Sequence, residues 1–141
     1  MDVKIKVFED YCMPVQSHER EWFDLKSKLD IVMRKECYYD IPLGVAIELP
    51  PGYEAVVAVR SSFFKNYLAF PVNGIGVIDN LYCGDNDEWH LLVYSLGDFT
   101  LLKAGDRIAQ FRIQKQQPQI DFKIVTQLPN KDRGGIGSTG K

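Results

Sequence analysis

The chain has 141 residues, 45% of them hydrophobic, and 17 lysines and arginines against 19 aspartates and glutamates give a formal charge of −2. That length and apolar content suit one globular domain with a real core, and the near-neutral charge offers no electrostatic case for a nucleic-acid polymer as partner. No apolar run approaches the roughly 18 residues of a membrane span. Residues 1–4 do not begin a signal peptide, and three scattered cysteines with two histidines argue against a disulfide framework or a zinc site, so a cytoplasmic location is expected.

Residues 3–8 alternate apolar and polar side chains and predict a strand, as do residues 41–49. Pro50, Pro51 and Gly52 mark a turn, from which residues 54–59 are expected to return as the hairpin partner of 41–49. Residues 61–67 predict one short helix, with Phe63, Phe64 and Tyr67 on a common face. Further strands are expected at 75–78, 89–94, 99–102 and 107–114, separated by turns at 84–87, 97–98 and 104–106. Pro118 and Pro129 interrupt the stretch beyond residue 114, and nothing apolar is periodic from Asn130 onward. Many short strands with little helix predict an all-β sandwich or jelly roll, and so small a β domain is expected to place a ligand between subunits.

The tail RGGIGSTGK (133–141) has two readings. Gly134, Gly135, Gly137 and Gly140 let backbone N–H groups turn toward an anion, Ser138 and Thr139 add hydroxyls, and Arg133 and Lys141 add charge. Residues 135–141 match G-x-x-x-x-G-K, but a P-loop opens a helix and sets a Ser or Thr after the Lys, which is lacking here. The tail is therefore either an arm that closes over phosphates bound elsewhere or a frayed glycine-rich end. Asp79, at the end of an apolar strand with Tyr82 three residues on, can orient a water beside a base or sugar, or simply cap a turn. Arg60, Ser61 and Ser62 suit an anion at a helix start, or a plain serine cap. In 105–110, Asp106 and Arg107 pair with each other or with a neighbouring subunit, leaving Gln110 to reach a phosphate or water.

Taken in order, FDL (23–25), RSS (60–62), GVID (76–79) with Tyr82 and Gly84, GDRIAQ (105–110) and GIGSTG (135–140) resemble the five motifs of the trimeric dUTPases, over most of the chain. The resemblance implies a jelly-roll, dUTPase-like β-clip domain over residues 1–129 and a flexible phosphate-binding arm over 130–141. It also implies a homotrimer with active sites at subunit junctions, one subunit giving a uracil-binding hairpin, another phosphate contacts, and the third its arm. The reaction implied is hydrolysis of dUTP to dUMP and pyrophosphate by water attack on the α-phosphate, limiting uracil in DNA and supplying dUMP. By position, Asp79 would orient the water and meet the 3′-OH, and Tyr82 would stack under the sugar and leave no room for a 2′-OH. Asn73 and the backbone at Gly76 and Ile78 would read uracil. Arg60, Ser61, Ser62 and Gln110 would hold phosphates and water, and Arg133, Gly137, Ser138 and Thr139 would close from the tail. Asp24 would anchor a water on Mg²⁺ that the substrate phosphates mainly coordinate.

Several positions depart from that pattern. Ile136 replaces the aromatic that stacks on uracil, and Lys131 rivals Arg133 for the γ-phosphate. Trp89 and His90, after a lengthened turn at 85–87, are candidates for a substitute lid; they alternate along a strand, so only one can cover the site, and His90 is preferred because a Trp there is more often core. These features resemble a subgroup of bacilli and their phages or prophages. The alternative enzyme of the same fold, dCTP deaminase, needs a catalytic Glu after the Asp turn, and only Glu88 is placed there. A second alternative, a nucleotide-controlled regulatory binder of a protein partner, rests on the acidic run 85–88 alone.

Overall fold

The computed structural model describes residues 1–16 and 21–136. Among these the chain runs through β1 (Lys4–Val7), a 3-10 turn (Asp10–Cys12), β2 (Val15–Gln16), β3 (Phe23–Lys26), β4 (Ile31–Met33), β5 (Cys37–Pro42), β6 (Val45–Glu48) and β7 (Tyr53–Val59). After the short helix α1 (Phe63–Tyr67) come β8 (Ala69–Pro71), β9 (Gly76–Ile78), β10 (His90–Ser95), β11 (Thr100–Leu102) and β12 (Arg107–Lys115). All pairings are antiparallel, and the largest sheet has the order β2-β3-β12-β7-β9, with β5-β10-β8, β1-β6 and β4-β11 as smaller sheets. The expected all-β jelly roll is therefore what forms.

One core joins these sheets. Strand alternation turns Leu91 and Val93 of β10, Ala55 and Val57 of β7 and Phe111 of β12 inward, where they meet Leu43, Val45, Ile47, Phe63 and Trp89. Trp89 packs edge-on to Phe111 at 5.2 Å between ring centroids, and Phe23 stacks on Phe111 from the neighbouring strand at 5.4 Å.

The structure departs from the sequence reading in three places. Residues 41–49 are not one strand, because the chain breaks at Leu43 and Gly44, the latter at φ +70°. Nor do they form a hairpin with 54–59. The proline turn, closed by the Tyr53 N–H donating to the Pro50 carbonyl at 3.1 Å, passes the chain to another sheet. There β7 pairs with β12 and β9, while β6 pairs with β1. In α1, Phe63 and Tyr67 are buried one turn apart with rings 5.2 Å apart, but Phe64 faces outward. A five-residue helix is too short to bury three aromatics on one stripe, and Leu68 ends it in the left-handed region at φ 47°.

Regular structure stops at Lys115; residues 116–136 carry neither helix nor strand and lie largely exposed on the protomer. The start of this stretch is nonetheless tied down, because the Gln116 side chain donates to Asn80 Oδ1 at 2.9 Å and its N–H to the Gly52 carbonyl at 2.9 Å.

Gly44 is where the backbone tolerates least. A Cβ there would sit 2.4 Å from Cys12 Sγ, in a left-handed conformation, and burial already pushes the Cys12 thiol pKa up. Gly44→Ala is expected to lower unfolding stability by roughly 2–4 kcal/mol. Gly52→Ala, at φ +80° with nothing within 4 Å, is expected to cost only about 1–2 kcal/mol. Urea denaturation of both variants checks the difference, which isolates the clash from the backbone strain.

Candidate active site

A cavity of about 590 Å³ opens beside β9. Its walls are the 73–79 hairpin, β7 at Val57 to Val59, Tyr82, the start of β10 and Asp40. The Asn73, Gly76, Ile78, Asp79 and Tyr82 positions singled out from sequence are thus brought together on one cavity. β7 and β9 approach closely at Gly76, paired in register with Val57, where a Cβ would just touch the Val57 side chain at 3.4 Å.

Asp79 follows the last residue of β9 and caps the turn it begins. Its Oδ1 accepts the N–H groups of Leu81 at 2.7 Å and Tyr82 at 3.2 Å. The two readings of Asp79 are therefore compatible: one oxygen fixes the side chain, and the other is free of protein bonds among the described residues. Tyr82 is aimed by its hydroxyl, which donates to the Glu88 carbonyl at 3.1 Å and leaves the ring half-exposed at the cavity.

Asp24, Arg60 and Gln110 assemble elsewhere, at one end of the large sheet. Gln110 lies in register with both Asp24 on β3 and Ala58 on β7, and its side chain donates to the Val59 carbonyl at 3.4 Å. Asp24, only 2% exposed, receives Arg60 Nε on one oxygen and Arg107 Nη1 on the other, each at 3.2 Å. One expectation changes here. Arg107 pairs with Asp24 and not with Asp106, whose Oδ2 instead accepts the Tyr67 hydroxyl and the Lys103 N–H, both at 3.0 Å. Burial and that bond push the Tyr67 pKa up to about 12. Each Asp24 oxygen thus accepts one guanidinium N–H inside the protomer. Ser61 is exposed, and Ser62 holds the N-cap position of α1 without a side-chain cap bond, so neither serine is committed to the helix.

Among the residues lining the cavity there is no lysine or arginine; the ionisable side chains are Asp40, Asp79, Tyr82, Glu88 and His90. Glu88 is already committed. It accepts Lys28 Nζ at 2.6 Å and the Gly44 N–H at 2.8 Å, which leaves a deaminase-type base without a free carboxylate. The rest of the acidic turn is also bonded internally, Asp87 Oδ2 accepting the Gly84 N–H at 2.7 Å and the Asp85 carbonyl accepting Lys6 Nζ at 2.8 Å. Trp89 is 1% exposed and belongs to the core, which removes it as a lid. His90 is exposed at the rim, its Nδ1 2.5 Å from Asp40 Oδ1. Arg133 and Lys131 lie exposed in the C-terminal stretch, apart from the cavity lining, and Gly137, Ser138 and Thr139 fall outside the described residues.

Sequence reasoning did not find Asp40, Lys28, Asn80 or the Asp24–Arg107 pair. Each acts through a partner more than 30 residues away, and spacing carries no trace of such a contact. The signal that was present was Arg107 itself, an Arg at a strand start within a turn motif.

A dUTPase family model matches residues 11–140. The chain is 47% identical over 141 residues to the SPbeta prophage-derived deoxyuridine 5'-triphosphate nucleotidohydrolase YosS of Bacillus subtilis (strain 168), covering 99% of each chain. Among solved structures, the Staphylococcus bacteriophage 80alpha dUTPase with dUPNHPP has a TM-score of 0.77 at 20% identity, covering 99% of this chain and 98% of that one. The dUTPase from phage phi11 of S. aureus, described with a structural Mg(II) ion, has a TM-score of 0.74 at 17% identity, covering 90% and 98%. The structural likeness carries the fold, and the full-length sequence identity and the family model carry the lineage: this chain belongs to the dUTPase family.

Proposed function

We infer that this chain hydrolyses dUTP to dUMP and pyrophosphate. The observation that carries this reading is the 73–82 hairpin cavity, with Asp79 fixed at its end and Tyr82 aimed across it, in a chain 47% identical to a deoxyuridine triphosphate nucleotidohydrolase along its whole length. Exposed backbone of the hairpin and Asn73 suit the donor–acceptor edge of uracil. The Tyr82 ring, held through its hydroxyl, packs against deoxyribose and excludes a 2′-OH. The free oxygen of Asp79 accepts a proton of the attacking water and points its lone pair at the α-phosphorus. As the water oxygen bonds to phosphorus, the bond to the bridging oxygen breaks, pyrophosphate leaves, and the water's proton passes to Asp79 and then to solvent.

A triphosphate with charge near −4 has no cation to meet in this cavity. The protomer's candidates are Arg60, Ser61, Ser62 and Gln110, beyond the β7 wall and outside the cavity lining, and the tail cations Lys131 and Arg133, which supports a homotrimer in which neighbouring copies complete each site. No group of three or more His, Cys, Asp or Glu able to hold a metal is found among the described residues, and Asp24 is closed off by two guanidiniums. The protein does not fit a resident metal cage at Asp24. Magnesium enters as the Mg–dUTP substrate complex, whose charge it partly neutralises.

The discriminating assay is pyrophosphate release from dUTP, dCTP, dTTP and UTP with Mg²⁺. Strong preference for dUTP is expected; equal turnover of UTP contradicts the role of Tyr82, and ammonia release from dCTP contradicts the reaction itself. Asp79→Asn keeps shape and the capping bonds but removes the charge that orients water. Its kcat is expected to fall roughly 10²–10⁴-fold with nucleotide affinity largely kept, as read by steady-state kinetics beside calorimetry. Deleting residues 130–141 removes side chains that are exposed wherever they are described, so the melting temperature should hold while the rate drops roughly 10²–10³-fold. Full activity of the truncated protein would return the tail to a frayed end. His90, at the cavity rim, is the remaining candidate to cover the base. His90→Ala is expected to weaken dUpNHpp binding about tenfold, and unchanged affinity assigns the cover to Ile136.

A further inference from the structure

We propose that Asn80 and Gln116 are positioning residues: their side-chain amides form a clasp that sets where the Asp79 carboxylate stands against the attacking water. The proposal rests on the dUTP reading above and adds to it the device that places its water-orienting group.

Asp79 stands beyond the sheet. The β7–β9 ladder ends at the Ile78–Ala55 pair, so no strand rung holds Asp79 or the residues just after it. The two bonds that Asp79 accepts come from Leu81 and Tyr82, in its own turn. They shape the turn without placing it, because the loop could pivot about Ile78 with both intact. The Tyr82 hydroxyl reaches only Glu88, at the far end of the same turn. Among the described residues, one hydrogen bond ties 79–84 to a segment outside 79–88: Gln116 Nε2 donates to Asn80 Oδ1 at 2.9 Å.

Gln116 is itself firmly rooted. β12 runs beside β7 as far as the Lys115–Tyr53 pair, and one residue further the Gln116 N–H donates to the Gly52 carbonyl at 2.9 Å. Gln114 Nε2 adds a bond to Glu54 Oε1 across the same two strands, also at 2.9 Å. Because the sheet order is β12-β7-β9, Asn80, two residues past the end of β9, meets Gln116 from the far side of β7. Strands lie about 4.8 Å apart, so two spacings are bridged only when two side chains meet midway, one of them long. The clasp thus closes around the start of β7. Burial agrees with that role: Asn80 and Gln116 are half-buried, whereas Asp79, Leu81, Lys115 and Gln117 on either side of them are exposed. Both amides are neutral, so the clasp adds no charge beside the Asp79 carboxylate, as a Lys–Asp pair in its place would. A single neutral bond of this kind contributes little to global stability, but a small displacement of a reacting group is costly in rate.

The test is the single-turnover rate of pyrophosphate release from Mg–dUTP, beside dUpNHpp calorimetry and thermal melting. It compares the wild type with Gln116→Asn, Gln116→Met and the exchanged pair Asn80→Gln/Gln116→Asn. Gln116→Asn keeps the amide but withdraws it by one methylene, and Gln116→Met keeps the length but removes the donor. Each is expected to lower the rate roughly tenfold while dUpNHpp affinity and Tm stay at their wild-type values. The exchanged pair restores the summed reach and should recover most of the rate, a rescue that a merely structural role would not give. An unchanged rate in both Gln116 variants overturns the proposal. So does a loss of dUpNHpp affinity as large as the loss of rate, a lowered Tm that accounts for it, or an exchanged pair as slow as Gln116→Asn. If Gln116→Asn fails to fold, Gln116→Met and the exchanged pair decide on the same readings. A wild-type protein that releases no pyrophosphate from dUTP defeats the functional reading itself, before any variant is compared.

Discussion

Glu88 is the tie on which the 73–82 hairpin and the turn after it depend. Its carboxylate bridges Lys28 Nζ and the Gly44 N–H, its carbonyl accepts the Tyr82 hydroxyl, and the next residue, Trp89, is locked into the core with its N–H on the Val45 carbonyl at 2.8 Å. A long turn that leaves β9 at Asp79 and must rejoin the body at β10 has no sheet ladder to fix it. One partly buried residue supplies that constraint, its carboxylate tying Lys28 and Gly44 and its carbonyl holding Tyr82. Its low exposure, beside Lys28 and a backbone donor, makes each bond worth more than a surface pair of the same length, and leaving either partner unpaired would be costly.

Charge also shapes the division of the site. The cavity proposed to take the base and sugar carries Asp40, Asp79, Glu88 and His90, whereas Arg60 and Arg107 gather on Asp24 just past the β7 wall of that cavity and further cations lie along the C-terminal stretch. Exposed apolar side chains after β12, among them Ile120, Phe122 and Ile124, are consistent with a segment that finds its packing outside its own protomer.

Local order at the cavity comes from backbone chemistry more than from packing. Asp79 caps two N–H groups of its own turn, Asp87 caps Gly84, and Gln116 links the root of the C-terminal stretch to Asn80, one residue past Asp79. The last contact joins the arm to the turn it is proposed to serve, through a single amide pair.

The sequence alone determined the all-β class, the position of α1, the strands at β9 to β12 and the membership of Asp79, Tyr82, Asn73 and Gly76 in one hairpin. Those features are local: alternation of period two, turn residues, and motif order along a continuous stretch. Tertiary structure decided what depends on distant partners. It split 41–49 at Gly44 because Cys12 and Glu88 occupy the space and the bond there, and it sent β7 to β12 and not back to β6. It placed Trp89 in the core against Phe111, gave His90 to Asp40, and closed Asp24 between two arginines brought round by a one-residue slip in β12. Register and burial are properties of the assembled sheets, set by which apolar faces meet, and a pattern read along one chain carries the faces but not their meeting.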